Sequence, residues 1–287
     1  MSDYRFERID TTPASLGAIA SLLSNTFQKP SLFTTAYITW LYKHNPDGEV
    51  IGYNAYAPDG VLAGHYCVIP IQCQLHNQVL KGALSLNTAT HPQHQGKQLF
   101  TQLARLTFEA AAASGVKMIM GVANQNSIHG AEKKLGYQRI GMLDVALGLN
   151  LPVTPDPVTV GFQRSWNATN LRWRLNNPVA AYRSRTTADR YSVVAPSGYP
   201  LIEASLGTFS ADVLTTPPPA ASSRLLQPFQ LWMGLHPAIQ KAPPGFYSLP
   251  LRWRRSPLFL MMKDLSGTLV LPPAEEILFC PLDFDAF

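Results

Sequence analysis

Apolar positions Leu16, Ile19, Ala20, Leu22 and Leu23 recur at helical spacing. Thr12-Pro13 precedes them as a cap and first-turn proline, so a helix is predicted to about Phe27. A second helix is predicted over Phe33–Lys43, with Trp40 and Leu41 inward, ending before Asn45-Pro46. Val50–Tyr56, Val61–Leu75 and Leu80–Ala89 read as three strands, the second bent near Pro70. Ala57-Pro58-Asp59-Gly60 and Asn77-Gln78 supply the turns between them. Next, Leu99, Leu103, Leu106 and Ala110 mark a helix that stops at Ser114-Gly115. Val116–Ala123 is a buried-type strand, Asn124–Ser127 opens a short helix closed by Gly136, and Gln138–Leu149 is a further strand. Short turns imply antiparallel pairing and the strand-helix-strand unit implies a parallel crossover, so the expected class is α/β with a mixed sheet.

The proline-rich stretch at 151–160 (Pro152, Pro155, Pro157) reads as a linker. It divides the chain into residues 1–150 and 151–287. The second part echoes the first: Thr39–Pro46 resembles Leu171–Pro178, and Ala57-Pro58-Asp59-Gly60 is matched by Ala195-Pro196-Ser197-Gly198. A duplicated domain is expected, with Thr215–Ser223 as a flexible loop. Leu258–Lys263 and Leu278–Phe287 read as strands, and Trp173 and Trp253 as core residues.

At 287 residues and 46% hydrophobic, the chain can bury a substantial core. Membrane spans and a secretory leader are not expected, because no apolar run is long enough. Cys67, Cys73 and Cys280 form no disulfide framework and no metal-ligand spacing. A cytoplasmic protein with reduced thiols and no metal is expected. The net charge of +5 is spread evenly: residues 1–150 hold 11 basic and 9 acidic side chains, and 151–287 hold 12 and 9. That favours small anionic ligands over a nucleic-acid footprint, and Arg252, Arg254 and Arg255 are candidates to meet a phosphate.

The candidate chemistry gathers at Ala89-Thr90-His91-Pro92-Gln93-His94-Gln95-Gly96-Lys97-Gln98-Leu99-Phe100. This stretch delivers a strand into the start of a helix. Free N–H groups there meet the positive end of the helix dipole, which suits a phosphate. Gly96 allows close approach and Lys97 adds charge.

With that order of elements, residues 12–148 resemble the GNAT superfamily of acyl-CoA-dependent N-acetyltransferases. Gln95–Phe100 resembles the family's [R/Q]-x-x-G-x-[G/A] loop, with Gln98 and Phe100 where small residues are usual. Gly121–Ser127 followed by Lys133-Lys134-Leu135-Gly136-Tyr137 resembles its fifth strand, asparagine-bearing loop and K-x-G-F/Y helix end. The resemblance implies an acyl-CoA acyltransferase fold, with a degenerate second GNAT-like half over the acceptor site. It implies that Ala89, Thr90 and His91 meet the pantetheine, that Gln95, Gly96, Lys97, Gln98, Leu99 and Phe100 meet the pyrophosphate, and that Asn124 and Asn126 hold the cofactor from the other side.

Acetyl-CoA is the expected co-substrate and a small amine, such as an amino sugar, the expected acceptor. The family's tyrosine acid is replaced by Glu132, and its strand glutamate by Ser85, Asn87 and Thr88. Candidate catalytic groups are therefore His91, His65 and Asn87; His129 is expected to face solvent. Asp283 and Asp285, two apart in an extended tail, are candidates to hold the amine's charge. Two other readings remain: a non-catalytic acyl-CoA-binding sensor, and an aminoacyl transferase of the peptidyl-bridge type.

Overall fold

The structure is a computed structural model that describes residues 4–152, 159–186, 189–211, 213, 228–254 and 256–286. In chain order its elements are β1 (Arg5–Arg8), α1 (Pro13–Phe27), α2 (Thr35–Lys43), β2 (Ile51–Tyr56), β3 (Leu62–Leu75), β4 (Gln78–Thr90), α3 (Leu99–Ala113), β5 (Met118–Asn124), α4 (Gln125–Leu135), β6 (Gln138–Met142) and β7 (Asp144–Gly148). There follow β8 (Phe162–Arg164), α5 (Ala168–Leu175), β9 (Arg183–Thr186), β10 (Arg190–Pro196), β11 (Ile202–Ser210), β12 (Phe229–Gly234), β13 (Tyr247–Ser248), β14 (Leu258–Asp264) and β15 (Ile277–Leu278). No helix among the described residues is long and apolar enough to cross a membrane.

Local chemistry sets the helix starts. Thr12 Oγ1 accepts from Ser15 N, Pro13 opens α1, and Thr34 Oγ1 accepts from Tyr37 N at α2. The helix expected from Phe33 therefore begins two residues later, at Thr35, directly after its cap. β3 runs unbroken through Pro70, whose carbonyl accepts from Asn45 Nδ2. β1 carries no alternating pattern of its own and pairs antiparallel on β2.

Two mixed sheets result. The first has the order β1-β2-β3-β4-β5-β14-β6, with β8 also paired to β3 and β15 to β8, and the second the order β13-β7-β12-β11-β10-β9. Read outward from β2 and from β9, they correspond strand for strand. In each, three antiparallel strands lead to one parallel pair, β4–β5 or β11–β12. An antiparallel strand then follows, β14 on β5 and β7 on β12. That last strand is exchanged: β7 from the first part of the chain completes the second sheet, and β14 from the second part completes the first. Residues 1–150 and 151–287 thus each supply strands to both sheets. The exchange splits the single strand expected over Gln138–Leu149 into β6 and β7, which enter different sheets on either side of Leu143.

The same correspondence appears at the junction of α2 and α5. Trp40 and Trp173 stack with centroids 4.7 Å apart, and each indole donates to the other's carbonyl, at 3.0 and 3.2 Å. Trp173 is core, as its sequence context implied. Trp253, expected in the core, is instead 61% exposed. The stretch Leu278–Phe287, read as a strand, pairs as one only at Ile277–Leu278 and then turns as a 3-10 segment over Pro281–Asp283. Of the arginine trio, Arg254 ties the chain internally, donating to the Leu249 and Leu143 carbonyls. Arg252 lies over Trp253. Arg255, the flexible loop at Thr215–Ser223, and Pro155 and Pro157 of the linker lie outside the described residues.

Candidate acyl-CoA cleft

The parallel ladder between β4 and β5 runs only from Gly82–Met118 to Ser85–Gly121. Past Ser85 the two strands continue without pairing each other, while β5 keeps its pairing with β14 on its other edge as far as Asn124. β4 also changes course here. Leu86 pairs with Cys67 and Ala89 with His65, so Asn87 and Thr88 oppose Tyr66 alone. This is a β-bulge, with Asn87 left-handed at φ 53°. Such a bulge re-aims side chains and frees backbone groups beside an opening.

Beyond the bulge the chain passes through His91, whose N–H donates to the Ala63 carbonyl, and a 3-10 turn at Pro92–His94. It enters α3 through two left-handed residues, Gly96 at φ 77° and Gln98 at φ 59°. No side chain caps α3. The first-turn N–H groups therefore face outward at the positive end of a 15-residue helix. The pocket there is about 200 Å³ and is lined by Thr90, His94, Gln95, Gly96, Lys97, Gln98, Leu99, Phe100, Thr101 and Lys134. Apart from His94, Thr101 and Lys134, all of these are among the predicted cofactor residues. Lys134 comes from the last turn of α4 and adds a second ammonium to that of Lys97. Its signal in the sequence was the lysine-glycine helix end, since Gly136 closes α4 in a left-handed cap. His94 is fixed by Tyr4 OH at 2.7 Å from its Nδ1, and Lys97 Nζ lies 5.6 Å over the Tyr4 ring.

The other predicted residues fall in different places. Ala89 is buried on β4, and Thr90 and His91 are half-buried at the mouth of the loop. His91 Nδ1 accepts from Gln93 N, and its ring meets His94 edge-on at 5.4 Å. Asn124 and Asn126 sit at the far end of β5. Asn124 Oδ1 accepts from Asn126 N and Ser127 N while Ser127 Oγ accepts from Asn124 N, a reciprocal cap that holds the start of α4. His129 is exposed on α4.

His65 is fully buried. Its Nδ1 lies 2.8 Å from Asn54 Oδ1 and its Nε2 2.9 Å from Tyr42 OH. The Cys67 thiol donates to the same Tyr42 oxygen. Desolvation pushes the imidazole down to about 3, so it is neutral near pH 7 and both its nitrogens are engaged. Its place is structural, in a polar knot under the bulge. Burial likewise pushes the Cys67 and Cys73 thiols up to about 12. The buried Asn87 amide belongs to the same knot, directed at the Tyr42 hydroxyl. At the last β4–β5 pair, Ser85 Oγ meets Tyr66 OH at 3.1 Å, and Tyr66 meets Tyr137 OH at 3.3 Å.

A pH dependence of stability follows from His65. Its neutral form favours folding fully above the ordinary histidine value of 6.5. That contribution falls away as pH drops from 6.5 toward 3, because the unfolded chain binds the proton first. Two pH units of that window correspond to about 3 kcal/mol at 1.36 kcal/mol per unit. Urea unfolding at pH 7 and 4.5 should therefore show a larger loss for the native protein than for His65→Gln. Equal losses in the two would show that this imidazole does not carry the dependence.

Asp283 and Asp285 are turned into the protein. Asp283 accepts from Trp166 Nε1 and Cys280 N at 2.9 and 2.7 Å. Asp285 is 2.9 Å from Arg174, and accepts from Tyr37 OH, Asn177 Nδ2 and Tyr182 OH. The 3-10 turn replaces the extended tail that would have set both carboxylates on one face. Their partners make them anchors of the C-terminal segment. Among the described residues no cluster of three or more His, Cys, Asp and Glu is placed to hold a metal.

The family model described as an acetyltransferase (GNAT) domain matches residues 9–140. No curated protein matches in sequence. Solved structures with the same fold include a probable N-acyltransferase of Enterococcus faecalis (10% identity, TM-score 0.59, 92% of this chain and 73% of that one). Eis1 from Mycobacterium abscessus aligns at 11% identity and TM-score 0.60, over 92% and 74%. Saccharomyces cerevisiae N-myristoyltransferase with bound myristoyl-CoA aligns at 9% identity and TM-score 0.57, over 91% and 83%. At these identities the likeness is one of fold.

Proposed function

We propose, from the match of residues 9–140 to the GNAT acetyltransferase domain model, that the protein transfers the acetyl group of acetyl-CoA to the amine of a small molecule such as an amino sugar. The observation that carries this reading is the opening between β4 and β5, which ends at an uncapped helix start flanked by Lys97 and Lys134. Phosphates bind such a start through backbone N–H groups, whatever the side chains. The bulge at Asn87 lies between the last ladder pair and that anion site, where a pantetheine arm laid along the opening would bring its thioester. Backbone N–H groups freed at the bulge beside Ala89 are suited to donate to the oxygen that gains charge when the amine attacks. His91 is the candidate to handle protons, being half-buried at the mouth; its Nδ1 is held by Gln93. As the amine attacks the thioester carbonyl, the C–N bond forms, the C–S bond breaks, and the proton lost by the amine balances the one taken by the leaving thiolate.

The strand-for-strand correspondence of the two sheets supports a second, degenerate GNAT-like half that arose by duplication, with the exchange of β7 and β14 locking the halves together. The loop between β11 and β12 carries no equivalent of the Gln95–Phe100 motif.

A sensor reading has its own support. His65 is sealed as a neutral core group, and Glu132, where relatives place a tyrosine, is paired with Arg139 at 2.8 Å. Calorimetry with acetyl-CoA, followed by thiol release across a panel of amines, separates the two. No binding at millimolar acetyl-CoA would overturn both. Binding without thiol release on any amine would favour the sensor.

Gln98→Gly sharpens the test. Gln98 occupies a left-handed conformation that suits glycine, at a cost of about 1 kcal/mol to a residue with a Cβ. The variant should melt higher and bind acetyl-CoA several-fold more tightly. Unchanged or lost binding would count against placing the pyrophosphate at this loop.

A further inference from the structure

Ser85 forms the floor of the opening between β4 and β5. It is the β4 member of their last parallel pair, and its partner there is Gly121. A Cβ at Gly121 would lie 3.5 Å from that of Ser85, so the glycine leaves the space beside the serine open. Ser85 is half-buried. Its hydroxyl lies on the sheet face that α3 covers, because it meets Tyr66 OH at 3.1 Å and the Tyr66 ring packs against Phe100 and Phe108 of α3. Phe100 also stands in the wall of the anion pocket at the start of α3. Thr90, in the same wall, is five residues along β4 from Ser85, about 16 Å at 3.3 Å per residue. That is the reach of an extended pantetheine arm, so a coenzyme held by its pyrophosphate at the pocket brings its sulfur to the floor.

Behind Ser85 stand two phenols. Tyr66 OH lies 3.3 Å from Tyr137 OH, and the serine hydroxyl faces both. Tyr66 and Tyr137 are 2% and 5% exposed. Burial raises both phenols above their ordinary value, so each keeps its proton throughout the neutral range. A buried O–H needs an acceptor. When both phenols donate within the cluster toward Ser85, every buried donor is satisfied. The proton left over then belongs to Ser85, the least buried of the three. Hydrogen bonds received from the phenols also polarise its O–H and make it a better donor.

From the place of Ser85 at the floor of the opening and the two phenols behind it, we infer that Ser85 is a catalytic residue whose hydroxyl donates a hydrogen bond to the thioester sulfur as the C–S bond breaks, with Tyr66 and Tyr137 as positioning residues. The inference rests on the acyl-CoA reading above. The electron pair of the breaking C–S bond goes to sulfur, and the Ser85 O–H holds that charge. Serine is a far weaker acid than a thiol, so Ser85 keeps its own proton. The thiolate takes up the proton that the amine releases.

The test reads coenzyme A itself, whose thiol is the leaving group, bound to the full-length protein. Titration of the ultraviolet thiolate band should show the bound thiol ionising about one pH unit lower on the native protein than on Ser85→Ala. Ser85→Thr, which keeps the hydroxyl, should restore the native titration. Tyr66→Phe, which removes a phenol that orients Ser85, should raise it by part of that unit. A thiol that ionises alike on the native protein and on Ser85→Ala would overturn the inference and leave the acyl-CoA reading standing. Failure of the native protein to bind coenzyme A would overturn both. If Ser85→Ala does not fold, Tyr66→Phe carries the comparison, and a native titration there would overturn the inference.

Discussion

Asp285→Ala is expected to destabilise the protein by about 3–5 kcal/mol, the usual cost of removing one partner of a buried ion pair. Arg174 has a fully buried side chain, and its charge is met by Asp285 at 2.9 Å. Without the carboxylate, a guanidinium remains in the core with no counter-charge at that distance. Tyr37, Asn177 and Tyr182 each lose an acceptor at the same time. These partners come from α2, the end of α5 and the chain leading to β9, so one substitution loosens the junction of both halves. Desolvation and the Asp285 charge hold the Tyr37 hydroxyl well above its ordinary value, so it stays a donor throughout the neutral range. Asp285→Asn should cost less, because the amide oxygen still accepts. Chemical denaturation of the two variants beside the native protein measures both effects. A loss below about 1 kcal/mol for Asp285→Ala would show that the C-terminal segment does not anchor the core.

The second large effect is on ligand affinity. Gly96→Val should weaken acetyl-CoA binding by tenfold to a hundredfold, about 1.4–2.8 kcal/mol, while the melting midpoint changes little. A Cβ at Gly96 meets nothing within 4 Å, so no clash is introduced. Its φ of 77°, however, is strongly disfavoured for a β-branched residue. The loop relieves that strain by rotating its peptides, and those peptides carry the N–H groups aimed at the anion. Calorimetry and a melting curve on the same sample separate the two quantities. Unaltered affinity with the fold intact would mean that the loop backbone does not bind the pyrophosphate.

Lys97 and Lys134 act through charge, and the affinity they contribute should fall with salt, whereas the loss from Gly96→Val should persist. This contrast sets the backbone part of the site apart from its side-chain part.

Much of the cleft was legible because its signals are local. A glycine, a lysine, a proline and the onset of helical spacing lie within ten residues, and each constrains its own backbone. Thr12 and Gly136 marked element ends for the same reason. The duplicated Trp-Asn-Pro helix ends pointed to corresponding elements, and those helices meet face to face at Trp40 and Trp173. Other features depend on what the fold brings alongside. His65 looked like a titratable group on a strand, but Tyr42 and Asn54 are 23 and 11 residues away in sequence. Asp283 and Asp285 looked like a free acidic tail, but Trp166 and Arg174, over a hundred residues earlier, engage them. Lys134 reached the loop only because α4 packs beside α3.

By itself, then, the sequence determined the mixed α/β class, the order of the helices and strands from α1 to α4, the uncapped helix start after Gly96, and the resemblance that names an acyl-CoA loop. These follow from period, caps and turn chemistry, which act over a few residues. The tertiary structure decided the exchange of β7 and β14, the burial of His65 as a neutral core group, and the engagement of Asp283 and Asp285 by buried partners. Those depend on which strand satisfies which edge and which charge finds a partner across the core. Such long-range choices are made by packing, and no window of neighbouring residues contains them.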